Sequence, residues 1–315
     1  MNRLTRVSIA ALAAASLATL SACGGNSDPL SGGGGSTSTD TNSIVVGSAN
    51  FTESEIVANI YAEALKANGF DASTKLSIGS REAYVPAVRD GSIDMIPDYT
   101  GNLLQYLDPS ATASSASDVD AALPAALGSD LAISTPAPGE DKDAVVVTRE
   151  TAERWNLTTI GDMAQYSAQV KFGGTPEFTE RVAGLPGLKD KYGLDVSPAN
   201  YVTIADGGGP ATVEAVVSGQ VDAADIFTTS PSIAQNDLVV LEDPENVFAA
   251  QNIVPLYNAS KKSDKLTQVL DAVSSKITTE ELLALNNEVS GDAKTEPLAA
   301  AQAWVKEQGL DQPVS

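Results

Sequence analysis

Apolar positions along this chain alternate between two spacings. Ile44-Val45-Val46-Gly47 is a short unbroken apolar run and reads as a buried strand. Thr52-Glu53-Ser54-Glu55 then has the form of a capping box, with Thr52 at the N-cap and Glu55 three residues on. Ile56, Ile60, Ala64 and Leu65 recur at helical spacing, and Gly69 stops the helix. A second strand is expected near Lys75 to Ile78, a helix over Glu82 to Arg89, and a third strand over Ile93 to Ile96. The same style continues with strands at Ala144 to Val147 and Val170 to Phe172. Thr148 starts one helix between them, and Thr175-Pro176 opens another, with Pro where its missing N–H costs nothing. Tyr201 to Ile204, Ala211 to Ser218, Val221 to Phe227 and Leu238 to Leu241 read as strand, helix, strand, strand. The tail is helical over Lys262 to Lys276, after a second capping box at Thr278 and Glu281, and over Pro297 to Gln308. Alternation of this kind predicts an α/β protein with largely parallel sheets covered by helices.

One pattern occurs twice. Ala87-Val88-Arg89-Asp90-Gly91-Ser92-Ile93-Asp94 runs on to Asp98-Tyr99-Thr100. Ala215-Val216-Val217-Ser218-Gly219-Gln220-Val221-Asp222 runs on to Ile226-Phe227-Thr228. Each copy reads as helix end, Gly stop, strand, then an aromatic beyond the strand's carboxyl end. Ligands bind outside the carboxyl ends of parallel strands. Two such units would aim Tyr99 and Phe227 into one cleft. Gly207-Gly208-Gly209-Pro210 lacks the Lys-Ser/Thr of a phosphate loop and the spacing of a dinucleotide fingerprint, and reads as a flexible loop entering the next helix.

The first residues follow a different logic. Arg3 and Arg6 precede an apolar run, Val7 to Leu20, that is too short to span a bilayer and suits the core of a secretory signal over residues 1–22. It ends in Leu20-Ser21-Ala22-Cys23-Gly24, the form of a bacterial lipoprotein signal. Cys23, the single cysteine, would carry the lipid. Residues 23–43 are rich in Gly, Ser and Thr and read as a flexible tether with a reach of about 25 Å. The net charge of −22 becomes about −24 once the leader is removed. That disfavours nucleic acid and anionic lipid surfaces, so membrane contact is expected through the lipid alone. There is no histidine and no spare cysteine, which removes the commonest general base, the commonest metal ligand and the thiol nucleophile. No metal site and no cofactor is expected.

Val46-Gly47-Ser48-Ala49-Asn50-Phe51-Thr52-Glu53 resembles the opening motif of the quaternary-amine substrate-binding proteins, which serve glycine betaine, choline and related osmoprotectants. Gly91-Ser92-Ile93-Asp94 through Pro97-Asp98-Tyr99-Thr100-Gly101 is similar to a second block. A third runs from Phe172-Gly173 through Glu177-Phe178-Thr179-Glu180-Arg181 to Gly184-Leu185-Pro186-Gly187-Leu188 and Tyr192-Gly193-Leu194. The resemblance covers the whole mature domain in order.

It implies a type II periplasmic-binding-protein fold with two α/β lobes joined by two hinge crossovers. Lobe 1 would take residues 44–141 plus 252–315, and lobe 2 residues 142–251. It implies an aromatic cage for a methylated ammonium, which offers no N–H and so suits π-faces, and an arginine for a carboxylate. By position, Tyr99 and Phe227 fall on cage aromatics and Arg181 on the carboxylate arginine. Asp143 and Gln251 stand where two further cage tyrosines would be, and Asn102 replaces a threonine. Ala49 replaces the usual Lys or Gln. Ser48 and Asn50 offer polar groups near a helix N-terminus.

The implied role is an extracytoplasmic lipoprotein, monomeric, that captures a small cationic or zwitterionic solute by cleft closure and delivers it to an ABC permease and its ATPase. A different solute, such as an amino acid, a polyamine or a betaine-like thione, is the alternative that Asp143 and Gln251 keep open. Presenting the ligand to a receptor is another. An enzyme would have to work with Asp94, Asp98 or Asp143 alone. Arg181 has a bland alternative too, a local ion pair with Glu177 or Glu180.

Overall fold

The computed structural model describes residues 42–314. The expected leader at 1–22, Cys23 and nearly all of the tether lie outside the described residues. The tether's last residue, Ser43, already belongs to a strand and pairs with Asp71.

Among the described residues, ten strands form two five-stranded sheets. The first holds β1 (Ser43–Gly47), β2 (Asp71–Lys75), β3 (Met95–Tyr99), β4 (Leu131–Ile133) and β10 (Ile253–Asn258), in the order β2-β1-β3-β10-β4. The second holds β5 (Val145–Thr148), β6 (Phe172–Gly174), β7 (Tyr201–Thr203), β8 (Ala223–Asp225) and β9 (Leu238–Val240), in the order β7-β6-β8-β5-β9. The two sheets share one plan. Three strands are mutually parallel, and a fourth, β10 or β5, runs against its neighbours on both sides. The fifth strand, β4 or β9, again shares the direction of the first three, so the expectation of largely parallel sheets holds except at β10 and β5. β5 and β10 are the strands by which the chain enters one sheet after leaving the other, so they arrive from the opposite end. The two connecting segments lie side by side, with Glu140 bridged to Asn252 and the Asp141 N–H donating to the Gln251 carbonyl at 3.2 Å.

Each sheet is covered on both faces. One face of the first sheet packs on helix α1 (Thr52–Ala67) and the carboxyl-terminal helices through Ile56, Ile60, Tyr61, Leu270 and Trp304. Its other face packs on α2 (Arg81–Asp90) and α3 (Thr100–Leu107) through Tyr84, Val88, Leu103 and Leu104. Phe172, Phe178 and Phe248 fill one side of the second sheet, and Val146, Val216 and Ile226 the other. Strands buried on both faces read as continuous apolar runs, as β1 and β5 do.

Element boundaries moved where local partners outbid the pattern. The N-cap of α1 is Phe51, in an extended conformation, and no side chain caps it. The capping box at Thr52 does not form, because the Glu55 carboxylate accepts from the Ser77 hydroxyl instead. At the second box Thr278 does cap helix Thr279–Ser290 through the Glu281 N–H, but the Glu281 carboxylate is taken by the Trp304 indole at 2.6 Å. β2 ends at Lys75, where a strand was expected to begin, and β3 runs on through Pro97 to Tyr99. Proline is tolerated there because Pro97 lies opposite Pro255, a rung of the antiparallel ladder that exchanges no N–H. The helix opened by Thr175-Pro176 is a single 3-10 turn, Pro176–Thr179.

β3 delivers Tyr99 at its carboxyl end, and the chain turns at once into α3. Gly101 is required in that turn, since a Cβ there would sit 2.6 Å from the Ala250 carbonyl oxygen on the second connecting segment. The bend that presents Tyr99 is thus pressed against the return crossover.

Candidate functional site

A cavity of about 110 Å³ opens between the two sheets, and both repeated βα units end in it. Gly91 and Gly219 each stop a helix with positive φ, at 78° and 74°. The strands that follow carry Tyr99 and Phe227 to the same cavity wall. The sequence did not single out the ring that joins them. Phe51, at the start of α1, lies 6.0 Å from Tyr99 and meets Phe227 edge-on at 5.1 Å. Tyr84 of α2 lines the same cavity.

The charged wall is mostly acidic. Asp141 and Asp143 come from the outgoing crossover, Asp225 ends β8, and Glu177 stands in the Pro176–Thr179 turn. Two arginines also line the cavity, and both are engaged by carboxylates. Arg81 binds Asp98 through Nη2 at 2.6 Å and Nε at 3.0 Å, a pair that is almost wholly buried. Burial works against the Arg81 charge, but the adjoining Asp98 prevails and raises its pKa. Arg181 forks onto Glu82 of α2, with Nη2 to Oε2 at 2.9 Å, not onto Glu177 or Glu180. Burial works against the Glu82 charge too, but the hydrogen bonds from Arg181, Ser80 and the backbone, with the Arg181 charge, together outweigh it and leave that carboxyl below its ordinary value.

Of the residues expected at the site, the structure gathers Tyr99, Asn102, Asp143, Arg181, Phe227 and Asn50 in this one wall. Asn102 donates to Asp143 at 2.7 Å, tying α3 to the crossover. Ser48 and Gln251 are not brought to the wall. The Ser48 hydroxyl is fully buried, donating to the Ala49 carbonyl and accepting from the Ser77 N–H. Gln251 is fully buried behind the wall and accepts from the Asn102 backbone N–H at 3.0 Å. It therefore positions α3 rather than facing the cavity.

Three residues outside the expected set shape the site. Glu53 is buried and accepts from the Tyr99 hydroxyl at 2.7 Å, the Thr229 hydroxyl at 2.6 Å and the Asn286 amide at 2.6 Å. It fixes the Tyr99 ring and joins α1 to the segment after β8. Asp141 accepts from the Thr229 N–H and the Thr228 hydroxyl. Gly207 packs on Phe51: at φ +62° it leaves room where a Cβ would come within 3.2 Å of the Phe51 Cβ. The glycine-rich loop thus seats the ring and leads into helix Pro210–Val217, whose first turn is capped by Asp206. A second cavity of about 450 Å³ shares Phe51 and Phe227 with the first and is lined by Gly207, Gly208 and Gly209 of this loop.

Burial raises Asp141 and Asp225 well above the usual carboxylate range, reinforced by Glu53 for Asp141 and Asp143 for Asp225. A carboxyl whose pKa is higher in the folded chain holds its proton more tightly there. Its stabilising contribution is full below the unfolded value of about 4 and is lost as pH rises through the folded value. The ligand-free protein is therefore expected to melt at a higher temperature at about pH 5 than at about pH 8. Thermal scans across that range check this, and a melting temperature climbing steadily toward pH 8 would contradict it.

Two sheets of one plan and two crossovers, with a ring-lined acidic cleft between the sheets, define a type II periplasmic-binding-protein fold. The comparisons agree. Residues 42–307 match the family described as the substrate-binding domain of ABC-type glycine betaine transport systems, and the chain belongs to that family. It is 25% identical over 277 residues to the glycine betaine-binding protein YehZ of Escherichia coli K12, covering 84% of this chain and 90% of that one. It is 28% identical over 295 residues to the carnitine transport binding protein OpuCC of Listeria monocytogenes, covering 88% and 89%. A crystal structure of a glycine betaine/carnitine/choline ABC transporter protein has the same fold, with a TM-score of 0.66 and 21% identity over 85% of this chain and all of that one. The chain is thus an extracytoplasmic substrate-binding protein of the ABC transporters that handle glycine betaine and related osmoprotectants. No helix among the described residues is long and apolar enough to cross a membrane.

Proposed function

We propose that this protein captures a methylated ammonium solute of the glycine betaine or choline kind by closing two lobes around it, and performs no catalysis. The observation that carries the proposal is the cluster of Phe51, Tyr99 and Phe227 beside Asp143 and Asp225, with rings supplied from both sheets. Each π-face contributes about 0.5–2 kcal/mol to holding such a cation, and Asp143 supplies the counter-charge. Lobe 1 is residues 44–141 plus 252–315, and lobe 2 is residues 142–251. The contacts of Arg181 with Glu82, Thr229 with Glu53 and Asp143 with Asn102 then form as the lobes meet. Hinge closure of this kind is a known habit of periplasmic binding proteins. The closed monomer, held to the outer face of the cytoplasmic membrane by lipid on Cys23, is what the permease and its ATPase engage.

A second reading keeps the binding role and changes the solute to another cation or zwitterion. It is favoured by the commitment of both wall arginines to carboxylates of the protein itself. Calorimetric titration with glycine betaine, choline, carnitine and a set of amino acids separates the two. Binding of a methylated ammonium is expected, and silence toward all of them with binding of an amino acid would overturn the first reading. Arg181→Ala refines the result. If Arg181 turns from Glu82 to a ligand carboxylate, the variant weakens glycine betaine by about 1.5–3 kcal/mol and choline far less. Equal losses for both would remove Arg181 from carboxylate recognition.

A further inference from the structure

Asp225 is the least satisfied carboxylate of the wall. It is 4% exposed, ends β8 two residues before Phe227, and lines the ring-walled cavity. Its Oδ1 is buried and has no hydrogen-bond partner among the described residues. No guanidinium is hydrogen bonded to it, since Arg81 and Arg181 hold Asp98 and Glu82. Asp143 stands beside it, two residues before the Val145 that pairs with Asp225 across the β5–β8 ladder, and lines the same cavity. Before a ligand arrives, the hydrogen-bonding neighbour of Asp225 is the Asp143 carboxyl, and burial with that neighbour favours a proton held between the two acids. A ligand N–H can take that proton's place on an oxygen that otherwise receives no donor, and most buried acceptors are paired in folded proteins.

A fully methylated ammonium cannot repair this. It has no N–H, and its methyl groups are served by the rings. An ammonium that keeps one N–H can do both, laying its methyl groups on the rings and giving its proton to a carboxylate in a short charge-assisted hydrogen bond. We infer that Asp143 and Asp225 form a subsite for an N–H donor, and that the ligand this cleft prefers is a protonated, incompletely methylated amine. The inference rests on the reading of the cleft as a methylated-ammonium site and narrows the solute within it.

The test is a methylation series on the intact protein, read by calorimetry. N,N-dimethylethanolamine is compared with choline, and N,N-dimethylglycine with glycine betaine, all as cations or zwitterions at neutral pH. In each pair the member with one N–H is expected to bind about tenfold more tightly, the scale of one hydrogen bond to a charged group. Asp225→Asn should erase that preference: whatever the change costs in affinity falls on both members of a pair alike, and the two then bind equally. The wild-type series needs no variant, so the inference stays testable if Asp225→Asn folds poorly. If choline and glycine betaine bind as tightly as their dimethyl partners, or more so, the subsite is overturned and the methylated-ammonium reading stands. If neither pair binds, that reading falls and the subsite with it.

Discussion

Phe51→Ala is expected to weaken binding of a methylated ammonium by about 10- to 100-fold. One π-face contributes about 0.5–2 kcal/mol to a bound cation. The ring also makes the contacts that hold Tyr99 and Phe227 in place, and aromatic pairs are worth about 0.5–1.5 kcal/mol beyond their area. Removing it costs the cage a wall and the freedom of two neighbours. Phe51→Tyr, which keeps the face, should bind within a few-fold of the parent. Calorimetry on both variants checks this. Near-normal affinity in Phe51→Ala would mean that the cation does not sit among these rings.

Asp98→Ala is expected to be the most damaging single change to stability near the site, by about 3–5 kcal/mol. Asp98 is fully buried and Arg81 nearly so, and the variant would leave a guanidinium under α2 with no counter-charge. Asp98 also accepts from the Tyr99 N–H, so the turn that presents the ring loosens as well. In a chain of this size the melting temperature should fall by about 10 °C. The solvent-exposed pair of Arg149 and Asp237 serves as the control. Its short bonds of 2.6 Å are surface contacts, and Arg149→Ala should leave the melting temperature essentially unchanged. Similar losses in the two variants would contradict the account of the Arg81–Asp98 pair.

What the sequence disclosed followed from how each residue acts. The paired units around Gly91 and Gly219 were legible because a Gly stop, a strand and a terminal aromatic are local features that survive into the fold. Tyr99 and Phe227 could be found that way. Phe51 carries no periodic signal: it is an extended N-cap in a loop, and only its approach to the other two rings gives it a role. Asp225 was hidden in a strand that reads as apolar, and Glu53 in the first turn of a helix where acids are ordinary. The partner of Arg181 could not be read at all, because Glu82 lies 99 residues away and on the other side of the cleft. β10 contains Pro255, which argues against a central strand until Pro97 is found facing it. Gln251 falls by position on a cage tyrosine of the family pattern, but its side chain turns toward the backbone of α3.

A crystal structure of the protein grown with choline tests the central claim most directly. The account predicts the trimethylammonium group between Phe51, Tyr99 and Phe227, with Asp143 and Asp225 beside it. Choline seated instead in the second cavity lined by Gly207 and Gly208, away from Tyr99, would contradict it.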